Sequence, residues 1–193
     1  MAEGVLAVDS ARLASVVEDL IHLSSLVEDL QELAVAEAGH LNYQMDDIDL
    51  VELVSAELAR AAVSASKGVT VKPLASSGAV TIHGDERRIA QVLRNLLSNA
   101  VRHTREGSIG ISIEDEKEAV RVSVTDTGEG IPAEDLIHIF ERFFRADAAR
   151  ASDTGGAGLG LAISRSIVRD HGGDMFATST VDAGTTVGFT IPR

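Results

Sequence analysis

The pattern of apolar and polar positions divides the chain near residue 42. Residues 9–36 predict one long helix, because apolar residues recur there in alternating steps of three and four. Asp9 or Ser10 could cap its start. The apolar seam consists of Leu13, Val16, Leu20, Leu23, Val27, Leu30 and Ala34. Such a helix leaves its seam in water when isolated, so we expect partner helices, with packing on its own domain as the alternative.

Residues 43–193 change to shorter elements of mixed type and predict a single domain. Helices are predicted from Asp49 to about Ser66 and over Asp85–His103, Ala133–Ile139 and Leu159–His171. Strands are predicted over Val69–Lys72, Ala79–His83, Ser108–Ile113, Ala119–Thr125, Met175–Thr180 and Thr185–Ile191. This mixture predicts an α+β fold: a two-layer α/β sandwich in which helices cover one face of a mixed, mostly antiparallel sheet.

Composition and charge limit the partners that the chain can have. Among 193 residues the net charge is -13, and residues 1–60 hold thirteen acids against two arginines. An acidic surface disfavours nucleic acid and anionic membranes as partners. The chain has no cysteine and no apolar run of membrane-spanning length, and no signal peptide is recognisable. We therefore expect a cytoplasmic protein without direct membrane insertion.

Two amides share a face of the predicted Asp85–His103 helix. Asn95 and Asn99 are four residues apart, and His103 follows after four more. Amide oxygens are suitable ligands for a hard cation such as Mg²⁺. A pair of this kind is more often a surface or capping feature. The arginines of this helix, Arg87, Arg88, Arg94 and Arg102, are expected to be mostly solvated.

Two glycine-rich segments offer positions where a ligand could approach the backbone. The Asp126–Pro132 segment follows a predicted strand; it could be a tight turn, or its glycines could admit a flat ligand whose amine is bound by Asp126. The Gly155–Ile163 segment runs into a helix, and glycine amides at a helix N-terminus can hold phosphate. Arg142 and Arg145 precede it and could pair with phosphate oxygens.

The order and spacing of these segments resemble the catalytic ATP-binding domain of sensor histidine kinases, in the superfamily that includes DNA gyrase. The N box resembles residues 94–104, the G1 box 126–132, the F box 139–145, the G2 box 156–163 and the last glycine box 184–186. The resemblance covers about residues 45–193. Residues 9–39 resemble the second helix of the dimerisation hairpin of this family, which gives a partial dimerisation helix at 1–42 and a catalytic domain at 43–193.

The resemblance implies ATP and Mg²⁺ as cofactors and a role for each matching residue. Asn99, with Asn95 close by, would hold Mg²⁺, and Asn95 and Arg142 would serve catalysis. The nucleotide would be contacted by Asn99, Arg102, His103, Asp126, Gly128, Gly130, Arg145, Gly156, Gly158, Leu159, Gly160 and Thr186. Residues 146–155 would form a mobile lid. Hydrolytic members carry Glu where this chain has Asn95, and an amide is no general base, so we expect phosphoryl transfer rather than rapid hydrolysis.

The acceptor histidine of the family is not recognisable. It is usually followed by an acidic residue and, three residues on, by proline, and none of His22, His40, His83, His103, His138 and His171 has this context. His22 is interpreted as a surface residue off the seam. Either the chain is a fragment of a longer kinase, or a partner protein supplies the acceptor histidine. The partners implied are that acceptor, a downstream response regulator and a second copy bound through residues 9–36.

Two other functions stay open on the sequence alone. The chain could be a non-catalytic module that senses nucleotide or dimerises to regulate another kinase. It could also be a serine kinase of the anti-sigma type, although the phenylalanines of residues 139–145 fit the histidine kinases better.

Overall fold

The computed structural model describes residues 42–74, 78–145 and 157–193, together with positions 13, 17, 20, 24, 27 and 31. Those six positions are helical and their side chains are exposed. Leu13, Leu20 and Val27 of the predicted seam are among them, each about half exposed. The other seam residues, and the caps proposed at Asp9 or Ser10, lie outside the described residues. Within the described part, no helix is both long and apolar enough to cross a bilayer.

Eleven elements make up the described domain. In chain order they are β1 (Asp46–Asp49), α1 (Leu50–Ser64), β2 (Val69–Val71), β3 (Thr81–Gly84), α2 (Glu86–His103), β4 (Gly107–Asp115), β5 (Ala119–Asp126), α3 (Ala133–Leu136), α4 (Gly160–Asp170), β6 (Asp174–Thr180) and β7 (Gly184–Pro192).

The main sheet has five strands in the order β2-β4-β5-β7-β6. The β2–β4 pair is parallel and the other three pairs are antiparallel. A separate antiparallel pair joins β1 to β3. The predicted mixed, mostly antiparallel sheet is therefore confirmed.

The helices cover one face of this sheet. Along β5, Val120, Val122 and Val124 are buried while the alternate side chains are less buried, as expected for a strand with one face in the core. The buried face of α2 includes Leu93 and Leu97, and it packs with α1 and α4 over β5 and β7. Burial of each such side chain contributes about 1.5–3 kcal/mol, so this layer fixes where the polar ends of α2, β5 and α4 lie.

Both long helices of this layer begin with an aspartate cap. Asp49 accepts hydrogen bonds from the first-turn amides of α1, and Asp85 accepts one from Arg88 N of α2. A cap satisfies amides that have no partner within the helix and contributes about 1 kcal/mol. These caps place the helix starts within two residues of the sequence-based prediction.

Three features differ from the sequence-based prediction. The strand β1 was not predicted, because Ile48 is the only apolar residue of its four. The helix α3 ends at Leu136 rather than Ile139. Arg94 is not simply solvated: its Nη1 lies 2.9 Å from Oε1 of Glu57, a carboxylate of α1 that is only 3% exposed.

Candidate functional site

Asp126 ends the central strand β5 with a buried carboxylate. Its Oδ1 accepts a hydrogen bond from Gly128 N at 2.8 Å. Burial raises the pKa of Asp126, and this outweighs the opposing effects of the Gly128 and Thr185 amides and of His103. A desolvated carboxylate with its oxygens held in this way is suited to accept a hydrogen bond from a ligand amine.

The segment after Asp126 approaches other backbone too closely for side chains at two glycines. A Cβ at Gly128 would lie 2.2 Å from the carbonyl oxygen of His103. Gly130 has φ +71°, and a Cβ there would lie 2.2 Å from the carbonyl oxygen of Thr180. The two glycines therefore let the segment pack against backbone of the same domain, and the predicted approach of a flat ligand to it stays a prediction.

Residues of β6 and β7 hold this segment in place. Ile131 N donates to Ser179 Oγ at 2.8 Å, and the same hydroxyl lies 2.8 Å from Thr185 Oγ1. Asp182 N also donates to the carbonyl oxygen of Glu129 at 2.8 Å. Sequence reasoning missed Ser179 and Thr185 as site residues. The contact between Ser179 and Ile131 joins positions 48 residues apart, and the contact between Ser179 and Thr185 depends on the pairing of β6 with β7.

Thr186, one of the residues assigned to the site from the sequence, lies on the other face of the sheet. In the β5–β7 ladder Asp126 is opposite Thr185, and Thr125 is opposite Thr186. The hydroxyls of Thr125 and Thr186 are 2.9 Å apart. Since successive side chains of a strand alternate between faces, the threonine beside Asp126 is Thr185.

Asn95 connects α2 to the first turn of α4. Its Nδ2 donates to Gly160 O at 3.0 Å and to Ser164 Oγ at 3.1 Å. Ser164 is fully buried and was not identified from the sequence. These bonds orient the amide so that its nitrogen, rather than the oxygen that a cation would need, faces α4. Asn99 lies one turn further along α2 and is half-buried.

The C-terminal end of α2 carries His103 and Arg102 towards the same region. His103 Nδ1 lies 2.8 Å from Oε1 of Glu129, which places the α2 end beside the Gly128 segment. Desolvation and the nearby charge of Arg145 lower the pKa of Arg102, although that residue is exposed as a whole. Two arginines this close together favour an anion between or beside them.

The helix α4 begins without a side-chain cap. Leu159 stands at its N-cap position, and Leu159 is only 2% exposed, so only its backbone could contact a ligand. Gly158 has φ +70°, and its carbonyl accepts from Phe143 N at 3.0 Å. The uncapped first-turn amides of such a helix can bind an anion.

Apart from Thr186, the sequence-predicted residues that the structure describes therefore lie along the C-terminal half of α2, after the end of β5, after α3 and at the start of α4. Arg142 is exposed and Arg145 is half-buried, both after α3. Gly156 and the predicted lid, residues 146–155, lie outside the described residues. Together, the described groups place a buried carboxylate, closely approached glycine backbone, a helix N-terminus and a positive cluster on one side of the domain.

Comparisons with known proteins show the family to which the chain belongs. Residues 84–193 match the family model described as "Histidine kinase-, DNA gyrase B-, and HSP90-like ATPase". The chain is 35% identical to the sensor histidine kinase WalK of Bacillus subtilis over 86% of its own length and 28% of that protein. It is 33% identical to the signal transduction histidine-protein kinase BaeS of Escherichia coli over 98% of its length and 41% of that protein. The chain thus spans less than half of these curated relatives.

Solved structures of histidine kinases share the fold. Full-length ShkA in complex with AMPPNP superposes with a TM-score of 0.83 at 29% identity, over 97% of this chain and 40% of ShkA. The histidine kinase AdeS of Acinetobacter baumannii superposes with a TM-score of 0.78 at 26% identity, over 98% of this chain and 87% of the AdeS chain. This chain therefore belongs to the family of histidine kinase-, DNA gyrase B- and HSP90-like ATPases, and it carries the ATP-binding catalytic domain of a sensor histidine kinase.

Proposed function

We propose that the chain binds Mg·ATP between the ends of α2, β5 and α4 and transfers the γ-phosphoryl group to a histidine on a partner chain or on a segment beyond this sequence. The observation that carries the proposal is the buried carboxylate of Asp126, 2.8 Å from Gly128 N, in a segment too close to other backbone for side chains. That carboxylate suits the adenine amine, and Gly128 and Gly130 let the segment that follows it pack closely against the backbone of His103 and Thr180.

The described groups fit a nucleotide at its phosphate end as well. The uncapped start of α4 at Gly160 offers backbone amides to phosphate. Arg102 and Arg145 supply positive charge nearby, and Arg142 would reach the transferred group from the segment after α3. Phosphoryl transfer depends mainly on such positioning and charge neutralisation.

The two asparagine side chains of α2, Asn95 and Asn99, differ in how well they could bind a magnesium ion. Asn95 directs its nitrogen to Gly160 and Ser164, which makes it chiefly an anchor for α4. Asn99 carries no such anchoring bond among those described and is the better candidate for the ion. When bound, Mg²⁺ would neutralise phosphate charge. An amide at Asn95 also leaves this position without a general base, which favours transfer over hydrolysis.

The partners follow from this activity. The acceptor would be a histidine on a hairpin helix, a response regulator would receive the phosphoryl group, and residues 9–36 would pair with a second copy. We place the reaction in the cytoplasm, where ATP is available and where a cysteine-free protein needs no oxidising compartment.

Two measurements test the proposal. Calorimetry with a non-hydrolysable ATP analogue should show binding that weakens when Mg²⁺ is chelated, and Asn99→Ala should remove this magnesium dependence. Incubation with γ-labelled ATP and a polypeptide carrying the acceptor helix should yield acid-labile label on that polypeptide. The transfer function is wrong if the analogue binds but label never reaches the acceptor.

A further inference from the structure

Residues 42–45 lie against the two helices whose other ends form the proposed nucleotide site. The Tyr43 ring meets the His171 ring edge-on, with centroids 5.1 Å apart and planes at 82°. The Tyr43 hydroxyl donates to Asp170 Oδ2 at 2.5 Å. Gln44 N donates to Asp85 Oδ2 at 2.8 Å. This segment, which we call the lead-in segment, is thereby attached where α2 begins and α4 ends.

The hydrogen bonds of His171 admit one protonation state. Its Nδ1 lies 2.7 Å from the carbonyl oxygen of Ile167, which can only accept, so Nδ1 carries a proton. Its Nε2 lies 3.0 Å from Asp85 N, which can only donate, so Nε2 carries none. The ring is 8% exposed. His171 is therefore a neutral, oriented bridge between the end of α4 and the start of α2.

Asp85 uses both carboxylate oxygens at this junction. Oδ1 accepts from Arg88 N at 3.0 Å and caps α2, while Oδ2 holds Gln44 N. The residue is only 3% exposed. Loss of either partner would leave a buried polar group unsatisfied, so the cap of α2 and the position of the lead-in segment depend on each other.

The helices α2 and α4 are hydrogen-bonded to each other at two places. In the middle of α2, Asn95 donates to Gly160 O at the start of α4, beside the proposed phosphate site. Where α2 begins and α4 ends, Asp85 N donates to His171 Nε2, beside the lead-in segment. A change in the contact between the helices at the first place therefore has a direct structural route to the second.

We propose that Tyr43, Asp85 and His171 form a latch that couples nucleotide binding to the attachment of the lead-in segment to α2 and α4. His171 is the positioning residue of this latch. The coupling rests on the proposed function, because it requires a nucleotide at the α4 start. Burial and the Asp170 carboxylate raise the pKa of Tyr43 well above its usual range, which keeps its hydroxyl a donor to Asp170. Nucleotide that orders the start of α4 would tighten the α2–α4 contact and with it the latch.

Amide hydrogen exchange on the whole chain tests the latch without nucleotide. His171→Phe keeps a ring and removes both ring nitrogens, so exchange at Gln44 and Asp85 should accelerate at least tenfold. Tyr43→Phe, which removes only the bond to Asp170, should give a smaller acceleration and provides a milder variant if His171→Phe folds poorly. His83→Phe, at an exposed histidine of β3, is the matched control and should leave both amides unchanged. Unchanged Gln44 exchange in both latch variants would overturn the latch.

Addition of a non-hydrolysable ATP analogue with Mg²⁺ tests the coupling. Exchange at Gln44 should slow at least threefold in the wild type and not in His171→Phe. Because linkage is reciprocal, the analogue should bind His171→Phe more weakly, by the same factor when the latch of the variant is fully open and by less when it is partly closed. Wild-type protein that binds the analogue with no change at Gln44 would overturn the coupling alone. If the wild type does not bind the analogue, the proposed function and the coupling are both rejected. The amide-exchange comparison without nucleotide would still test whether the latch exists.

Discussion

Asp126 and Thr185 face each other across the β5–β7 ladder, on the face of the sheet that bears the candidate site. The Thr185 hydroxyl lies 2.8 Å from Ser179 Oγ, which in turn accepts from Ile131 N. The Ser179 hydroxyl thus connects Thr185 of β7 to the glycine segment that follows Asp126. Thr186 has the same chemistry one position later but points to the opposite face.

This relationship gives a matched pair of substitutions. Thr185→Val should weaken binding of an ATP analogue about tenfold, or about 1.4 kcal/mol, because the Ser179 hydroxyl that holds the glycine segment loses its hydrogen-bond partner Thr185 Oγ1. Thr186→Val should change the affinity less than about twofold. Calorimetric titration measures the affinity of both variants. Equal losses of affinity would contradict the assignment of the site to the face of the sheet that carries Thr185.

The buried carboxylate of Asp126 should make stability depend on pH. Its pKa is raised above the usual value of about 3.9, so the folded state holds the proton more tightly than the unfolded state. The stability that this confers is present below about pH 4 and is lost as pH rises through the folded pKa. Asp126→Asn does not titrate, so its free energy of unfolding should improve relative to the wild type from pH 4 to pH 7.

Urea unfolding at several pH values measures this difference. Glu114→Gln, at an exposed position of β4, serves as the control, and its free energy of unfolding should change with pH as that of the wild type does. A difference between Asp126→Asn and the wild type that stays constant from pH 4 to pH 7 would contradict the prediction.

Asn95 should matter for stability as well as for any ligand. In Asn95→Asp the nitrogen that donates to Gly160 O and Ser164 Oγ becomes an acceptor, so it faces the Gly160 carbonyl oxygen, which can only accept, and the Ser164 hydroxyl must turn from Gly160 O to donate to it. The expected loss is about 1–3 kcal/mol in the free energy of unfolding, with the start of α4 affected most. Chemical denaturation gives the size, and amide exchange at residues 160–164 gives the location. Asn99→Asp is the comparison, and an equal loss in both would mean that the α4 contact is unimportant.

Gly130 should tolerate no side chain. With φ +71° and a Cβ position 2.2 Å from Thr180 O, Gly130→Ala should cost at least about 2 kcal/mol. Gly110→Ala provides the control, because a Cβ there meets only the Lys72 side chain at 3.8 Å. Thermal unfolding compares the two, and a Gly130→Ala protein as stable as Gly110→Ala would mean that the segment can relax.

The exposed apolar side chains near the N-terminus should support association. Leu20 is helical and 60% exposed. Leu20→Glu would place a charge in the seam, which costs more than about 1.4 kcal/mol and so raises the dissociation constant of a dimer at least tenfold. His22→Glu, off the predicted seam, is the control. Sedimentation velocity over a range of concentrations measures the shift, and equal behaviour of both variants would exclude the seam as the interface.

Local patterns predicted the elements well where the periodicity was long. The stripe of Ile89, Leu93 and Leu97 with the Asp85 cap placed α2 to within a residue. The short strand β1 gave no such signal, because its pairing with β3 is decided by the fold rather than by its four residues. The strands β2 and β4 were predicted, but their parallel pairing was not visible in the local pattern, because the paired residues lie 38 positions apart.

At the site, the sequence indicated which residue types are present better than it indicated the direction in which each side chain points. Asp126 and Gly130 stand out in the local sequence and were assigned to the site from it, and their roles stay predictions. Whether Thr185 or Thr186 accompanies Asp126 depends on a ladder register, in which one residue changes the face. The anchoring bond from Asn95 depends on Gly160, 65 residues away in sequence. Such contacts appear only when separate elements are packed together.

The place of β5 in the sheet has a consequence for how the domain opens. As the third of five strands, with β4 and β7 hydrogen-bonded on either side, β5 is held along both edges up to Asp126. Strands at the border, β2 and β6, can separate in local openings that leave β5 paired, so its amides are expected to exchange only when the whole domain unfolds. A partly opened molecule would therefore keep the Asp126 carboxylate in place, and recovery of the proposed nucleotide site would start from an intact central strand.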